Sequence, residues 1–250
     1  MDHRNSWIKG KTALVTGGAK RLGRTISLSL ALQGVHFIIH YGKSLEEASE
    51  LAKEIEQYGV KAWPVFGDLR QVSEVERLFD RALQYDSPIK ILINNASIFD
   101  KSDLNSFSVD ELFDNIQINA MSPLILAREM AKQKIEGAII NLLDTRITEY
   151  DRNHVAYHLS KKMLFDLTRM MALEFAPLTR VNAISPGLIL PPPGKDISYL
   201  EELAPTTPLQ KVGNPEEIIS AVIFLLNSQF VTGQVIFVDG GYHMKGSTYG

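Results

Sequence analysis

The 250-residue chain contains no cysteine, which excludes disulfides, thiol nucleophiles and thiolate metal sites. Positive charge is not in excess: 26 Lys and Arg face 29 Asp and Glu, a formal net charge of −3. The electrostatic footprint of a nucleic-acid binder is therefore missing. No run approaches the roughly 18 apolar residues of a membrane span, and the opening MDHRNSWIKGK has no apolar stretch of a secretion signal. The expectation is a cytoplasmic protein without nucleic-acid or membrane partners. Repeats, linker composition and low-complexity stretches are lacking too; PPPGKD (191–196) marks a loop but is too short to divide domains.

What is present is 45% hydrophobic residues and 22% charged ones, enough for a sizeable core. Seven short apolar runs recur: 12–17, 35–41, 62–66, 90–97, 138–144, 180–187 and 234–241. Several are apolar at consecutive positions, as in strands buried on both faces of a parallel sheet. Between them lie helical patterns at about 22–33, 45–58, 73–85, 109–133, 153–176 and 215–228. The last has a marked start, since Asn214 can cap, Pro215 suits the first turn, and Glu216 and Glu217 favour the positive helix end. Strand–helix alternation predicts an α/β fold of Rossmann type: one doubly wound parallel sheet of about seven strands, helices on both faces, in a single domain over 1–250.

TALVTGGAKRLGRTISLSLALQG (12–34) reads as strand, glycine turn, helix. Gly17 and Gly18 permit a tight turn, and Gly23 lets the helix pack close, so that its first amides can face a pyrophosphate. A carboxylate that would hold the ribose 2′-hydroxyl of NAD is absent at the end of the second run. His40, Tyr41, Gly42, Lys43 and Ser44 stand there, with no acid before Glu46. Lys43, Ser44, Arg21 and Lys20 suit a 2′-phosphate instead, and the stretch points to NADP(H).

Tyr157 and Lys161 are spaced i, i+4 on a predicted helix, so both project from one face. A neighbouring ammonium and the positive ring of an oxidised nicotinamide are expected to lower the tyrosine pKa. Asp144 stands thirteen residues before Tyr157 at the end of an apolar run.

TGGAKRLG, NNAS, YHLSK and SPG, in this order and spacing, resemble the short-chain dehydrogenase/reductase family over about residues 10–241. The resemblance implies that Tyr157 is the catalytic acid, that Lys161 binds ribose, and that Asn119 supports the lysine through water. It implies a cofactor set of Gly17, Lys20, Arg21, Leu22, Gly23, His40, Tyr41, Ser44, Asp68, Leu69, Asn95, Ala96, Tyr157, Lys161, Pro186 and Gly187. It also implies a homotetramer built on the helices near 109–133 and 153–176, and a variable substrate loop at 188–211. Three departures from the pattern, Asp144 for serine, Arg21 for the middle glycine and Ser97 for the last glycine of N-N-A-G, resemble the pteridine reductases and related dihydromonapterin and dihydrofolate reductases. That resemblance implies a pterin or folate substrate bound by Arg21, Ser97, Phe99, Asp144 and Tyr157. Phe99 would stack on the flat ring, and Arg21 could bridge cofactor phosphate and pterin.

Elementary chemistry agrees. An ionised carboxylate would repel the alkoxide that grows on a reduced ketone. Reduction of a C=N bond sends a proton to nitrogen, and a carboxyl group can manage that proton or accept from ring N–H and amino groups. Other readings remain open at this point. Asp144 can simply cap the turn, leaving Thr145 as the hydroxyl of a carbonyl or 3-oxoacyl reductase. The fold could serve a non-catalytic NADPH sensor, or a polyol or steroid dehydrogenase using NAD. Phe99 can be plain loop packing, and Arg146 and Arg152 flank the expected mouth as solvated charges. His154 and His158 form H-x-x-x-H without a third ligand at familiar spacing, so no metal site is expected.

Overall fold

The computed structural model describes residues 6–192 and 194–247. The two ends of the expected 1–250 domain, and Pro193 within the expected 188–211 loop, lie outside the described residues. Seven strands form one sheet: β1 (Thr12–Val15), β2 (His36–Tyr41), β3 (Ala62–Phe66), β4 (Ile89–Asn94), β5 (Gly137–Leu142), β6 (Thr179–Pro186) and β7 (Val235–Val238). Their order is β3-β2-β1-β4-β5-β6-β7, and every pairing is parallel. The order reverses between β1 and β4, which opens a crevice at their carboxyl ends. The result is the expected doubly wound, Rossmann-type α/β domain.

Residue alternation on the strands sends one set of side chains to each face. Ala13, Val15, Phe37, Ile39, Ile91 and Ile93 pack with Ile26 and Leu30 of α1 (Arg21–Ala31), Leu51 and Ile55 of α2 (Leu45–Glu56), and Val222 and Leu225 of α8 (Pro215–Asn227). Leu14, Ile38, Leu92 and Ile139 face the other way. They meet Leu78 and Phe79 of α3 (Val72–Tyr85), Leu126 and Met130 of α5 (Ser122–Lys132), and Met171 of α6 (Val155–Glu174). Because both faces are covered, the strands carry no polar alternation, as the sequence suggested.

Asn214 caps α8 as expected: its side chain accepts from Glu217 N, and Glu217 reaches back to the Asn214 amide. Helix 109–133 differs from expectation. It runs as α4 (Val109–Ile116), a π-helical turn over Gln117–Met121, then α5. The wide turn is pinned from the β3–α3 side, where Leu69 O accepts from Gln117 Nε2 at 3.1 Å and from Ser122 Oγ at 2.9 Å. Asn119, in its middle, is fully buried. A short α7 (Ile197–Leu203) stands in the 188–211 segment. Several predicted runs overshot their strands. Thr16–Gly17, Asn95–Ser97 and Leu143–Asp144 leave the sheet just past β1, β4 and β5, and these exits build the site.

Candidate active site

A cleft of about 420 Å³ opens at the carboxyl ends of β1, β2 and β4. Gly17, Lys20, Arg21, Leu22, Gly23, His40, Asp68, Leu69, Asn95 and Ala96 line it, together with Ser97. Tyr41, Ser44, Pro186 and Gly187 fall outside that lining. Gly17 adopts φ +59, a left-handed conformation that glycine takes at little steric cost. A Cβ on Gly23 would lie 2.3 Å from Gly17 O, so only glycine lets α1 start this close to the turn. The turn is also held from β4, since Asn95 Nδ2 donates to Thr16 O and Gly17 O, both at 3.0 Å. The Asn95 side chain thus shapes the cleft rather than projecting into it.

His40 lines the cleft, but both of its ring nitrogens are spent inside the fold. Its Nδ1 accepts from Gly17 N at 3.0 Å and its Nε2 donates to Gly67 O at 3.0 Å. Burial, only partly offset by that Gly67 bond, lowers its pKa from 6.5 to about 4. With both ring nitrogens committed, His40 is a neutral clasp behind the glycine turn. Lys20 is paired with Glu47 at 2.5 Å, which reduces the charge it offers. Arg21 stands at φ +51, the left-handed region that explains why a glycine suits this position. Its Nη2 donates 2.5 Å to Pro191 O, tying the glycine turn to the 188–211 segment.

Beyond the cleft, Asp144 leaves β5 and Tyr157 and Lys161 come from the first turns of α6. Tyr157 Oη donates to Asp144 Oδ2 at 2.9 Å. Asp144 Oδ1 accepts from Arg146 N at 2.8 Å, so the residue also caps the 3₁₀ turn Thr145–Thr148. Capping and facing Tyr157 coexist, one oxygen for each. Thr145 points elsewhere: its Oγ1 donates to Asp239 Oδ2, a carboxylate that also accepts from His243 N at 2.8 Å and Gly241 N at 3.0 Å.

Lys161 Nζ, 3% exposed as a residue, donates to Leu142 O at 2.7 Å. Burial lowers its pKa to about 8, against the pull of Asp144 upward. Burial first, then the charge and hydrogen bond of Asp144, hold Tyr157 well above the ordinary tyrosine value. The buried phenol therefore keeps its proton.

Asn119 makes no direct hydrogen bond to Lys161. Its Oδ1 accepts from Ile98 N at 2.9 Å, and its Nδ2 donates to Ile98 O at 3.1 Å and Ser160 Oγ at 3.0 Å. It thereby fixes the strand-exit segment 95–98 against α6. Phe99 lies parallel to His154, ring centroids 4.0 Å apart, and edge-on to Tyr157 at 4.7 Å. One face of Phe99 is thus taken by histidine. Ser97 is exposed at the rim, its hydroxyl directed to Ile98 O at 3.3 Å. Arg146 is paired with Asp151, so the expectation of a solvated arginine fails there. No group of metal-ligating side chains is found among the described residues, and His154 is committed to Phe99 and Asp151. Sequence reading missed Thr16, Asp151, Asp239 and the π turn. The first three are contacts between segments far apart in the chain or turn carboxylates without periodic signal.

A carboxyl-end crevice of a doubly wound sheet, with a Tyr–Lys pair one helix turn apart beside it, is the frame of an oxidoreductase of short-chain type. The chain belongs to the short-chain dehydrogenase/reductase family; the family model described as Enoyl-(Acyl carrier protein) reductase matches residues 17–243. Among its relatives, the 2-dehydro-3-deoxy-D-gluconate 5-dehydrogenase of Formosa agariphila is 32% identical over 94% of this chain and 93% of its own. The L-rhamnose 1-dehydrogenase (NADP(+)) of Thermoplasma acidophilum is also 32% identical, over 94% of this chain and 96% of its own. Among solved structures, FolM Alternative dihydrofolate reductase 1 from Brucella canis, complexed with NADP, superposes with a TM-score of 0.88 at 33% identity, covering 95% of this chain and 96% of that one.

Proposed function

We propose that this enzyme is an NADPH-dependent reductase of a pterin-type substrate, a dihydropteridine, dihydromonapterin or dihydrofolate. The observation that carries the reading is the 2.9 Å bond from Tyr157 Oη to Asp144 Oδ2, with the Thr145 hydroxyl committed to Asp239. A carbonyl reductase needs a neutral donor beside the tyrosine, and the hydroxyl of Thr145, next to Asp144, is spent on Asp239. The likeness to the Brucella canis dihydrofolate reductase supports the same substrate class, whereas the sugar-acid and sugar dehydrogenases named above keep carbonyl chemistry as the rival reading.

The cleft fits a dinucleotide. A Cβ at Gly23 would crowd Gly17 O and the Asn95 amide, so glycine keeps the turn open to a phosphate. No carboxylate stands between His40 and Leu45 to meet a ribose 2′-hydroxyl, while Lys43 and Ser44 can meet a 2′-phosphate, with Arg21 on the glycine turn. The L-rhamnose dehydrogenase and the Brucella protein carry NADP in their names or crystals, which favours NADP(H) here. When bound, that cofactor supplies a hydride.

The chain's own residues handle binding and the proton. Lys161 keeps two N–H donors beyond its bond to Leu142 O, enough for ribose hydroxyls. Tyr157 holds a proton on Oη, and Asp144 offers acceptor lone pairs to ring N–H and amino groups. As the C=N carbon gains hydride, the π pair moves to nitrogen and takes up the proton held at Tyr157–Asp144. Phe99 presents the face not covered by His154 to a flat ring. Arg21, tied to Pro191, sits between the glycine turn and the proposed substrate loop 188–211.

Homotetramer assembly belongs to the same reading. Val109 and Phe113 on α4 and Met170 and Leu173 on α6 are each more than 60% exposed, an apolar surface of the kind that subunit contacts cover. No helix among the described residues is long and apolar enough to cross a membrane. The test of the function is NADPH oxidation with dihydromonapterin, dihydrobiopterin, dihydrofolate and an acetoacetyl thioester as separate substrates. Turnover confined to the thioester would overturn the pterin reading, and NADPH binding with no turnover on any of them would leave a sensor.

A further inference from the structure

Asp151 has no assigned role, yet its side chain is 6% exposed and every acceptor position of the carboxylate is aimed at one corner of the site. Its Oδ1 accepts from Asn153 N at 2.8 Å and His154 N at 3.0 Å. Its Oδ2 accepts from Arg146 Nη1 and from His154 Nδ1 at 3.3 Å. Burial alone would raise the Asp151 pKa, but the Asn153 amide and Arg146 outweigh it and keep the group below the ordinary range. Removing such a carboxylate leaves several donors unpaired at once.

The two branches from Asp151 close on each other. Through Arg146, whose amide is bound by Asp144 at 2.8 Å, one branch reaches the carboxylate facing Tyr157. Through His154, stacked on Phe99 at 13°, the other reaches the ring that stands at 83° to Tyr157. The loop carrying Phe99 is fastened at the same place. Ser102 N donates to Asn153 O at 2.8 Å, Val155 N to Ser102 O at 3.0 Å, and Ala156 N to Ser102 Oγ at 3.1 Å.

We propose that Asp151 is a positioning residue for substrate specificity: it seats His154 as the backing plate of Phe99, and so sets the plane against which a flat nitrogen heterocycle is held beside Tyr157 and Asp144. The substrate part of this inference rests on the pterin reading above; the geometric part does not. An unsupported phenylalanine that is 39% exposed would sample several rotamers, and freezing them before binding lowers the entropic cost of ordering the wall. A small ketone, with no plane to stack, gains nothing from this support.

The experiment compares wild type with Asp151→Ala, His154→Ala, His154→Phe and Phe99→Leu. Kinetics with dihydrobiopterin and saturating NADPH are read beside NADPH affinity from fluorescence. D151A and H154A are expected to raise the pterin KM about three- to tenfold, the scale of one lost aromatic pair. NADPH affinity should hold in both, and H154F, which keeps a flat ring, should restore the KM. The second readout needs no substrate. In proton NMR, the His154 Hε1 signal, identified by its absence in H154F, should lie upfield in the ring current of Phe99 and lose that shift in F99L and in D151A. An unshifted signal in wild type, or one that D151A leaves unmoved, overturns the proposal, as does a parallel fall in pterin and NADPH affinity. If D151A does not fold, Asp151→Asn, which keeps the size but loses the charge that holds Arg146 and His154, is read by the same two measurements with the same outcomes decisive. Absence of pterin turnover in wild type sinks the reaction assigned above, while the NMR comparison still judges Asp151.

Discussion

Tyr157 and Asp144, thirteen residues apart in sequence, meet at 2.9 Å with the phenol as donor. The second oxygen of Asp144 stays on the amide of Arg146, so the carboxylate cannot swing away without uncapping its own turn. A hydroxyl at position 144 would reproduce neither the charge nor this double hold. Asp144→Ser is therefore expected to lower kcat/KM for a dihydropterin by about 10²–10⁴-fold, the range of a lost acid–base group. Unchanged pterin turnover in that variant would show that the carboxylate plays no part.

Asp144→Asn tests the electrostatics. Asp144 raises both its buried neighbours, adding to burial at Tyr157 and opposing it at Lys161. Neutralising it therefore lowers both pKa values. Reduction needs the phenol proton and the ammonium, so the high-pH limb of the rate profile, set in wild type by Lys161 near about 8, should move to lower pH. A limb that stays in place or climbs contradicts this coupling.

Thr145→Ala separates the two reductase readings. With its hydroxyl on Asp239, Thr145 anchors the 3₁₀ turn and donates nothing toward Tyr157. Turnover should survive within about fivefold, with stability lower by about 1 kcal/mol for the lost bond. A loss of several hundredfold would make Thr145 the missing hydroxyl of a ketone reductase.

His40 predicts an acid weakness of the cofactor turn. Its folded pKa of about 4 lies below the ordinary 6.5. Between those values the unfolded chain binds a proton that the native one refuses, so stability falls as pH drops through that window. Protonation would also cost the Gly17 N–His40 Nδ1 bond. Thermal melts from pH 7 to 4 should show this slope, and His40→Gln should flatten it. An equal slope in the variant would place the acid sensitivity elsewhere.

Arg21→Gly removes a left-handed arginine (φ +51) along with its bond to Pro191 O. Relief of backbone strain, about 1 kcal/mol, offsets the lost bond, so the melting temperature should barely change. The KM for NADPH should nevertheless rise more than that for NADH. Equal rises would mean that Arg21 does not meet the 2′-phosphate.

Most of the architecture was legible in sequence because a buried parallel sheet forces unbroken apolar runs, and each of the seven runs overlaps one strand, with the starts of β4, β5 and β6 one residue earlier than the runs. The Asn214 cap was legible for a similar reason: its donors and acceptors lie within four residues. Less was legible at the site. That Tyr157 and Lys161 share a helix face follows from 3.6 residues per turn, but no local rule says where Asp144 points.

Sequence alone settled the periodic and the local: strand and helix alternation, the glycine turn, the absence of an acid after β2, the residue types of the proton-handling set. The folded chain decided direction and partnership. It turned Asp144 toward Tyr157 and Thr145 toward Asp239, took both nitrogens of His40 away from the cleft, and backed Phe99 with His154. The first three outcomes depend on which buried donor finds which acceptor between separate segments, and the last on two rings stacking across a loop; neither leaves a periodic trace that spacing could reveal.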